Sequence, residues 1–152
     1  MKIVLSCDHG GFQLKETIKE HLNNKTDYEI IDIGVYNTDS VDYPEFGKRA
    51  AEMVASKEVN KGIIVCGTGI GISIAANKVK GIRCALCTNE FMAKMSRMHN
   101  NANMLALGER VLGKGVALEI VDAWLSTEFE GGRHETRVNK LMDIENTQKV
   151  EG

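Results

Sequence analysis

Residues Ile63-Ile64-Val65-Cys66 are apolar without interruption and run directly into Gly67-Thr68-Gly69-Ile70-Gly71. A half-buried strand alternates apolar and polar side chains, whereas a strand apolar at every position needs cover on both faces. Helices on both sides of a parallel sheet supply that cover, because each parallel neighbour is reached through a crossover helix. The chain repeats this unit from end to end. Residues 2–7 (KIVLSC) read as a strand, and Leu14, Ile18 and Leu22 then recur every fourth residue as a helix stripe. Residues 28–33 (YEIIDI) read as a second strand, and Phe46, Ala50, Met53 and Val54 as a second helix. Beyond the central strand the pattern predicts a helix over Ile72–Lys78, a strand over 82–87, a helix over Glu90–Met98 and a short strand over Met104–Leu107. Leu112, Val116, Ile120 and Trp124 mark a long helix, and Val138, Leu141 and Met142 a last, charged one behind Gly131-Gly132. The expected fold is therefore α/β: a Rossmann-like three-layer sandwich with a five-stranded parallel sheet, in one domain over residues 1–152.

Composition narrows the function. With 19 basic against 21 acidic residues the net charge is −2, and a polyanion binder would carry a basic excess. Nucleic acid and anionic membranes are thus poor partners for this chain. No apolar run approaches the ~18 residues of a membrane span. The N-terminal apolar run is broken by Asp8 and His9, unlike a secretory signal. The four cysteines then read as reduced thiols in a cytoplasmic protein. Cys84-Ala-Leu-Cys87 matches C-x-x-C but lies in an apolar segment with no second pair at zinc spacing, so it reads as buried strand thiols rather than a redox or metal site.

Ligands of open α/β sheets bind at the carboxyl ends of the strands. There the glycine turn Gly67 to Gly71 exposes backbone N–H groups at a helix N-terminus, a setting that suits a phosphate or a developing oxyanion. It is neither a dinucleotide fingerprint, since Ile72 stands where the third glycine belongs, nor a P-loop. A thiol beside a helix N-terminus is activated, which singles out Cys66 as a base. Asp8-His9 follows the first strand, His99-Asn100 the fourth helix, and Arg110 the fifth strand. Arg133 and Arg137 are four apart, so on a helix they share a face and can clamp a phosphate. His21 lies mid-helix with no apparent partner. A base, an oxyanion cradle, a second acid–base group in His99, and arginines for an anionic tail fit proton transfer next to a carbonyl on a phosphorylated small molecule. No metal-ligand set is apparent.

The motifs Cys7-Asp8-His9-Gly10-Gly11, Asp42-Tyr43-Pro44, Cys66 through Lys78, Arg97, His99-Asn100, Asn103, Val121 through Leu125, and Glu130-Gly131-Gly132-Arg133-His134 with Arg137 together resemble the ribose-5-phosphate isomerase B family, which also holds galactose-6-phosphate isomerase. The likeness covers nearly the whole chain. It implies interconversion of D-ribose 5-phosphate and D-ribulose 5-phosphate through a cis-enediolate, without metal or cofactor. By the resemblance Cys66 is the base, amides of Gly67, Thr68, Gly69, Ile70 and Gly71 hold the enediolate oxygen, and His99 opens the sugar ring with help from Asp8. Asn100, Thr68 and Tyr43 lie against sugar oxygens, and His9, Arg133 and Arg137 bind the phosphate with Arg110 nearby. The family also implies a homodimer or homotetramer whose site is shared across the interface. Some of His99, Asn100, Arg110, Arg133 and Arg137 would then come from the neighbour, with the C-terminal helix reaching the partner subunit. One branch of the family has a Glu base at the position of Ile72, so Cys66 with Ile72 resembles the cysteine branch. Two other readings stay open at this point: a hexose 6-phosphate isomerase acting on allose or galactose 6-phosphate, and a non-catalytic phosphate-binding domain.

Overall fold

The computed structural model describes residues 1–148. Five strands, β1 (Lys2–Cys7), β2 (Glu29–Asp32), β3 (Lys61–Cys66), β4 (Cys84–Leu86) and β5 (Met104–Gly108), form one sheet in the order β2-β1-β3-β5-β4. Every pairing in it is parallel. Six helices connect and flank them: α1 (Phe12–Asn23), α2 (Tyr43–Ala55), α3 (Ile70–Asn77), α4 (Glu90–Met98), α5 (Lys114–Ser126) and α6 (Arg133–Thr147). Among the described residues no helix is long and apolar enough to cross a membrane.

Alternate residues of a strand face opposite sides of the sheet, and the core divides accordingly. Ile3, Leu5, Ile63, Val65, Leu105 and Leu107 pack with Leu14, Ile18 and Leu22 of α1 and with Trp124 of α5. Val4, Ile64, Cys66, Met104 and Ala106 pack on the other side with Ala50 and Val54 of α2 and Ile72 and Ala76 of α3. This two-faced burial is why β5, and β3 from Gly62 onward, carry no polar side chain. Lys15 is fully buried on this frame, and its ammonium donates to both Asp32 carboxylate oxygens at 2.9 Å and to the Val35 carbonyl.

Local chemistry sets the ends of the elements. Pro44 occupies the first turn of α2, where its missing N–H has no helical partner to lose. Asn89 caps α4 by accepting the Met92 N–H at 2.8 Å. The third helix starts at Ile70 rather than Ile72, because Gly69 takes a left-handed φ of 78° and turns the chain early. The second and fourth strands are shorter than the apolar runs that announced them, ending where pairing to β1 and β5 ends. His21 does have a partner: its Nε2 lies 2.8 Å from the Asp122 carboxylate, across the α1–α5 contact. All four cysteines are free. Burial pushes the Cys7 thiol up to about 12 and the Cys87 thiol up to about 11, and raises Cys84 as well, so none of the three is a ready thiolate.

The parallel sheet gives the molecule two poles. Cys7, Cys66 and Gly108 end their strands at one of them. Helix α4 runs back from the end of β4, so its C-terminal residue His99 emerges at the opposite pole. The backbone just beyond His99 is fixed there. Asn103 donates to the Arg83 carbonyl ahead of β4 and accepts from Gly62 at the start of β3. The strands between the poles have five or six residues, a span of roughly 15–20 Å.

Candidate active site

At the carboxyl pole, Cys66 is 4% exposed and its Sγ accepts the Gly69 N–H at 3.1 Å. The left-handed backbone at Gly69 makes that contact possible. A Cβ there would lie 2.9 Å from the Leu107 carbonyl carbon, so only glycine fits. Thr68 Oγ1 accepts the Ile70 N–H at 3.2 Å. The Gly69 and Ile70 amides are thereby occupied, whereas those of Gly67, Thr68 and Gly71 take no partner among the described residues. The cradle expected from the sequence is present, but three of its amides rather than five are free for a ligand.

Asp8 closes the other side of this hollow. Its side chain is 7% exposed, and its Oδ1 has no hydrogen-bond partner. A buried carboxylate oxygen without a donor is costly, and here it is an acceptor left open beside the glycine turn. That oxygen and the Gly67 N–H both border Gly10, within 3.3 Å of where its Cβ would be. His9 Nδ1 accepts the Val41 N–H at 3.1 Å, leaving the proton of the neutral ring on Nε2, the nitrogen open to a ligand. The Tyr43 ring covers Gly71, where a Cβ would come within 2.7 Å of it. Arg110 donates its N–H to the Gly67 carbonyl and lays its guanidinium beside Gly67. Arg110 thus belongs with Cys66 of its own chain. Glu109, which the sequence did not single out, accepts the Leu14 N–H at 2.6 Å and so takes up the N-terminus of α1, keeping it from serving as a second anion site.

The remaining candidates gather at the opposite pole. A cleft of about 370 Å³ is lined by His99, Asn100, His134, Arg137, Val138 and Leu141, with Arg133 one turn before Arg137 on α6. The Glu130 N–H donates to the Met98 carbonyl at 3.2 Å, which ties the start of α6 to the end of α4. The His99 and His134 rings stack, centroids 4.2 Å apart and planes 11° from parallel. Burial and the neighbouring His99 and Arg133 hold the His134 imidazole below its ordinary range. Donor atoms of His99, Glu130 and His134 lie within 4.8 Å of one another. Stacked parallel rings send their nitrogen lone pairs side by side rather than toward one point, which does not suit a metal ion. His134 and Glu130 went unassigned in the sequence reading. Glu130 precedes α6 and meets His134 only because the left-handed Gly131 and Gly132 turn the chain back, which spacing alone does not signal.

Helix α6 itself rests on its own chain. Glu145 accepts the Gly81 N–H at 3.0 Å, and Arg83 donates to the Met142 sulfur at 3.3 Å. It still leaves Leu141 and Ile144 exposed. Within one chain the two clusters remain at opposite poles: Asp8, His9, Tyr43, Cys66, Arg110 and the glycine turn at one, His99, Asn100, Arg133 and Arg137 at the other.

A thiol in a cradle of free amides at the carboxyl edge of a parallel sheet defines an α/β protein equipped for acid–base chemistry on a small anionic ligand. The Ribose/Galactose Isomerase family matches residues 3–141. Ribose-5-phosphate isomerase B of Escherichia coli is 49% identical over 95% of this chain and 96% of its own length. A solved ribose-5-phosphate isomerase B of Clostridium thermocellum is 59% identical and superposes with a TM-score of 0.94 over 96% of this chain and 98% of that one. The enzyme of the same name from Mycoplasma genitalium, solved with bound ribulose 5-phosphate, is 39% identical with a TM-score of 0.92 over 97% of both chains. The chain belongs to the ribose/galactose isomerase family.

Proposed function

We propose that this protein is a ribose-5-phosphate isomerase, interconverting D-ribose 5-phosphate and D-ribulose 5-phosphate. The observation that carries this reading is the Cys66 thiol held 3.1 Å from the Gly69 N–H beside three free amides and an unpartnered Asp8 oxygen. Aldose–ketose conversion needs just these parts. Cys66, as thiolate, takes the proton from C2 of the open aldose, and the electron pair moves onto O1 to give a cis-enediolate. The same thiol returns the proton to C1, and the O2 hydroxyl proton passes to O1, so that O2 becomes the ketone oxygen and O1 a hydroxyl. The Gly67, Thr68 and Gly71 amides hold the charge that develops on oxygen, and such a preorganised donor lowers a barrier by about 2.7–4 kcal/mol. His99 protonates the furanose oxygen to open the ring, and Asp8 accepts a sugar hydroxyl. Asn100, Thr68 and Tyr43 orient the sugar, and His9, Arg110, Arg133 and Arg137 receive the phosphate.

Separation of the two clusters supports a shared site. No side chain spans the roughly 15–20 Å between the poles, so the thiol half of one copy works with the His99 half of another. A two-fold dimer joins each pole to the opposite pole of its partner and completes two sites at once. Exposed Ile70, Ile74, Phe91, Leu141 and Ile144 give that dimer apolar surface to bury. The chain is read as one catalytic domain, and its four free cysteines fit a cytoplasmic setting.

The test is an isomerase assay with EDTA on ribose 5-phosphate, allose 6-phosphate and galactose 6-phosphate, using wild type and Cys66→Ala. Turnover of ribose 5-phosphate is expected and should fall by at least about 10⁴-fold without the thiol, in the range seen when a catalytic nucleophile is removed. Preference for a hexose phosphate would change the substrate. Activity retained in the alanine variant would move the base elsewhere.

A further inference from the structure

We propose that His134, buried beside the Glu130 carboxylate, is a positioning residue that fixes the plane of the His99 imidazole for sugar-ring opening, an inference that rests on the isomerase reading above. Proton transfer to a ring oxygen requires the N–H to point along the line to that oxygen, since hydrogen bonds weaken steeply as they bend. His99 ends a helix and is half exposed, and its ring nitrogens hold no hydrogen bond among the described residues. Its close directional contact is the stack on His134, at 4.2 Å and 11°.

His134 is itself well held. It is 6% exposed and its backbone N–H donates to the Gly131 carbonyl at 3.1 Å, while its Nε2 lies 3.3 Å from the Glu130 carboxylate without the alignment of a hydrogen bond. Glu130 is tied through its own N–H to the Met98 carbonyl, the residue before His99. Helix end, carboxylate and two imidazoles therefore close into a ring of contacts in which His99 is the free edge. Two imidazolium rings in this stack would repel. Burial, with His99, Arg133 and Arg137 nearby, disfavours the charged form of His134, and Glu130 works against this. The flat neutral face can then support a neighbouring ring that gains and loses a proton.

The experiment compares wild type, His134→Ala, His134→Phe and Glu130→Ala on ribose 5-phosphate and on its 4-deoxy analogue. The analogue lacks the hydroxyl that closes the furanose and is always open-chain. Displacing a catalytic group by about 1 Å costs about 10²-fold. The kcat/KM of His134→Ala on ribose 5-phosphate should fall about that much, while its rate on the analogue stays near wild type. His134→Phe, which keeps a flat ring, should recover most of the loss. Glu130→Ala, an exposed change that spares the fold, should show the same selectivity at smaller size, so the question is answered even if His134→Ala does not fold. Equal losses on both substrates, or no loss in the Glu130 and His134 variants, would overturn the positioning role. Wild type inactive on both substrates would overturn the isomerase reading and this proposal with it.

Discussion

Lys61 carries a charge that the fold disfavours. Its ammonium sits 5.2 Å from the centre of the Trp124 ring, and the Arg97 guanidinium approaches the same ring at 6.0 Å. Burial first, and then Arg97, push the Lys61 amine down to about 8, with Glu128 only partly opposing them. Between that value and the ordinary 10.5 the unfolded chain holds a proton that the folded chain does not. Stability therefore rises with pH across the window, and at pH 7 the folded state bears the full cost of the buried charge. Lys61→Met keeps the apolar stem and removes the charge. Its Tm at pH 7 should rise by roughly 2–4 °C, the equivalent of about 1 kcal/mol in a chain of this size. The gain should shrink by pH 10, where wild type has shed the proton. Melting curves at the two pH values check this, and a lower Tm at pH 7 would mean that the cation–π contact outweighs burial. Residue identity in the sequence offered Cys66, Asp8 and Arg137 as candidates because their chemistry is intrinsic to the side chain. It could not announce which glycine-turn amides stay free, that Lys61 and Arg97 share one indole, or that His99 stacks on His134, because those facts depend on contacts between distant elements.

At the scale of elements, the strand–turn–helix unit from Lys61 to Asn77 does most of the positioning, and Gly69 is its pivot. An alanine there would hold a left-handed conformation, costing about 1–2 kcal/mol. Its Cβ would also lie 2.6 Å from Leu86 Cδ1, which can swing away, and 2.9 Å from the Leu107 carbonyl carbon, which cannot. The turn must shift, and the Cys66 thiol and its amides shift with it. Gly69→Ala should lose more than about 1–2 kcal/mol in a denaturant titration. It should also lose about 10²-fold in kcat, the usual effect of an ångström's misplacement. Gly115 provides the contrast. Nothing lies within 4 Å of its Cβ position and it sits in α5, so Gly115→Ala should leave activity intact and add up to about 1 kcal/mol of stability. Equal effects at the two glycines would show that the turn's geometry is not what matters. The existence and order of these elements were legible because hydrophobic period and glycine punctuation are local signals. Their limits were less so: β4 was expected over 82–87 but spans only Cys84–Leu86, since its extent follows from pairing with β5.

At the scale of the whole molecule, topology decides what one chain can and cannot do alone. The sequence suggested a shared site only through family resemblance, because nothing in the spacing of Cys66 and His99 says that a helix of nine residues carries His99 back to the far pole. The parallel sheet makes the separation unavoidable: a crossover helix must return the chain to the edge where the next strand begins. If each working site takes its thiol half from one copy and its His99 half from another, two inactive proteins can rescue each other. Cys66→Ala supplies intact His99 halves, and His99→Asn supplies intact thiol halves. A mixed dimer then contains one native site and one doubly altered site. Unfolded together and refolded at equal concentration, the pair should regain about a quarter of wild-type activity on ribose 5-phosphate, half of the dimers being mixed and half of their sites native. Each variant refolded alone should stay at its own low rate. Recovery should also fail when the two are mixed without subunit exchange, which separates shared sites from simple addition of two weak enzymes. A mixture no more active than the mean of its components would place Cys66 and His99 in the same chain's site, against the separation of the poles. It would require His99 to reach the glycine turn by a rearrangement of α4 far larger than a side-chain rotation.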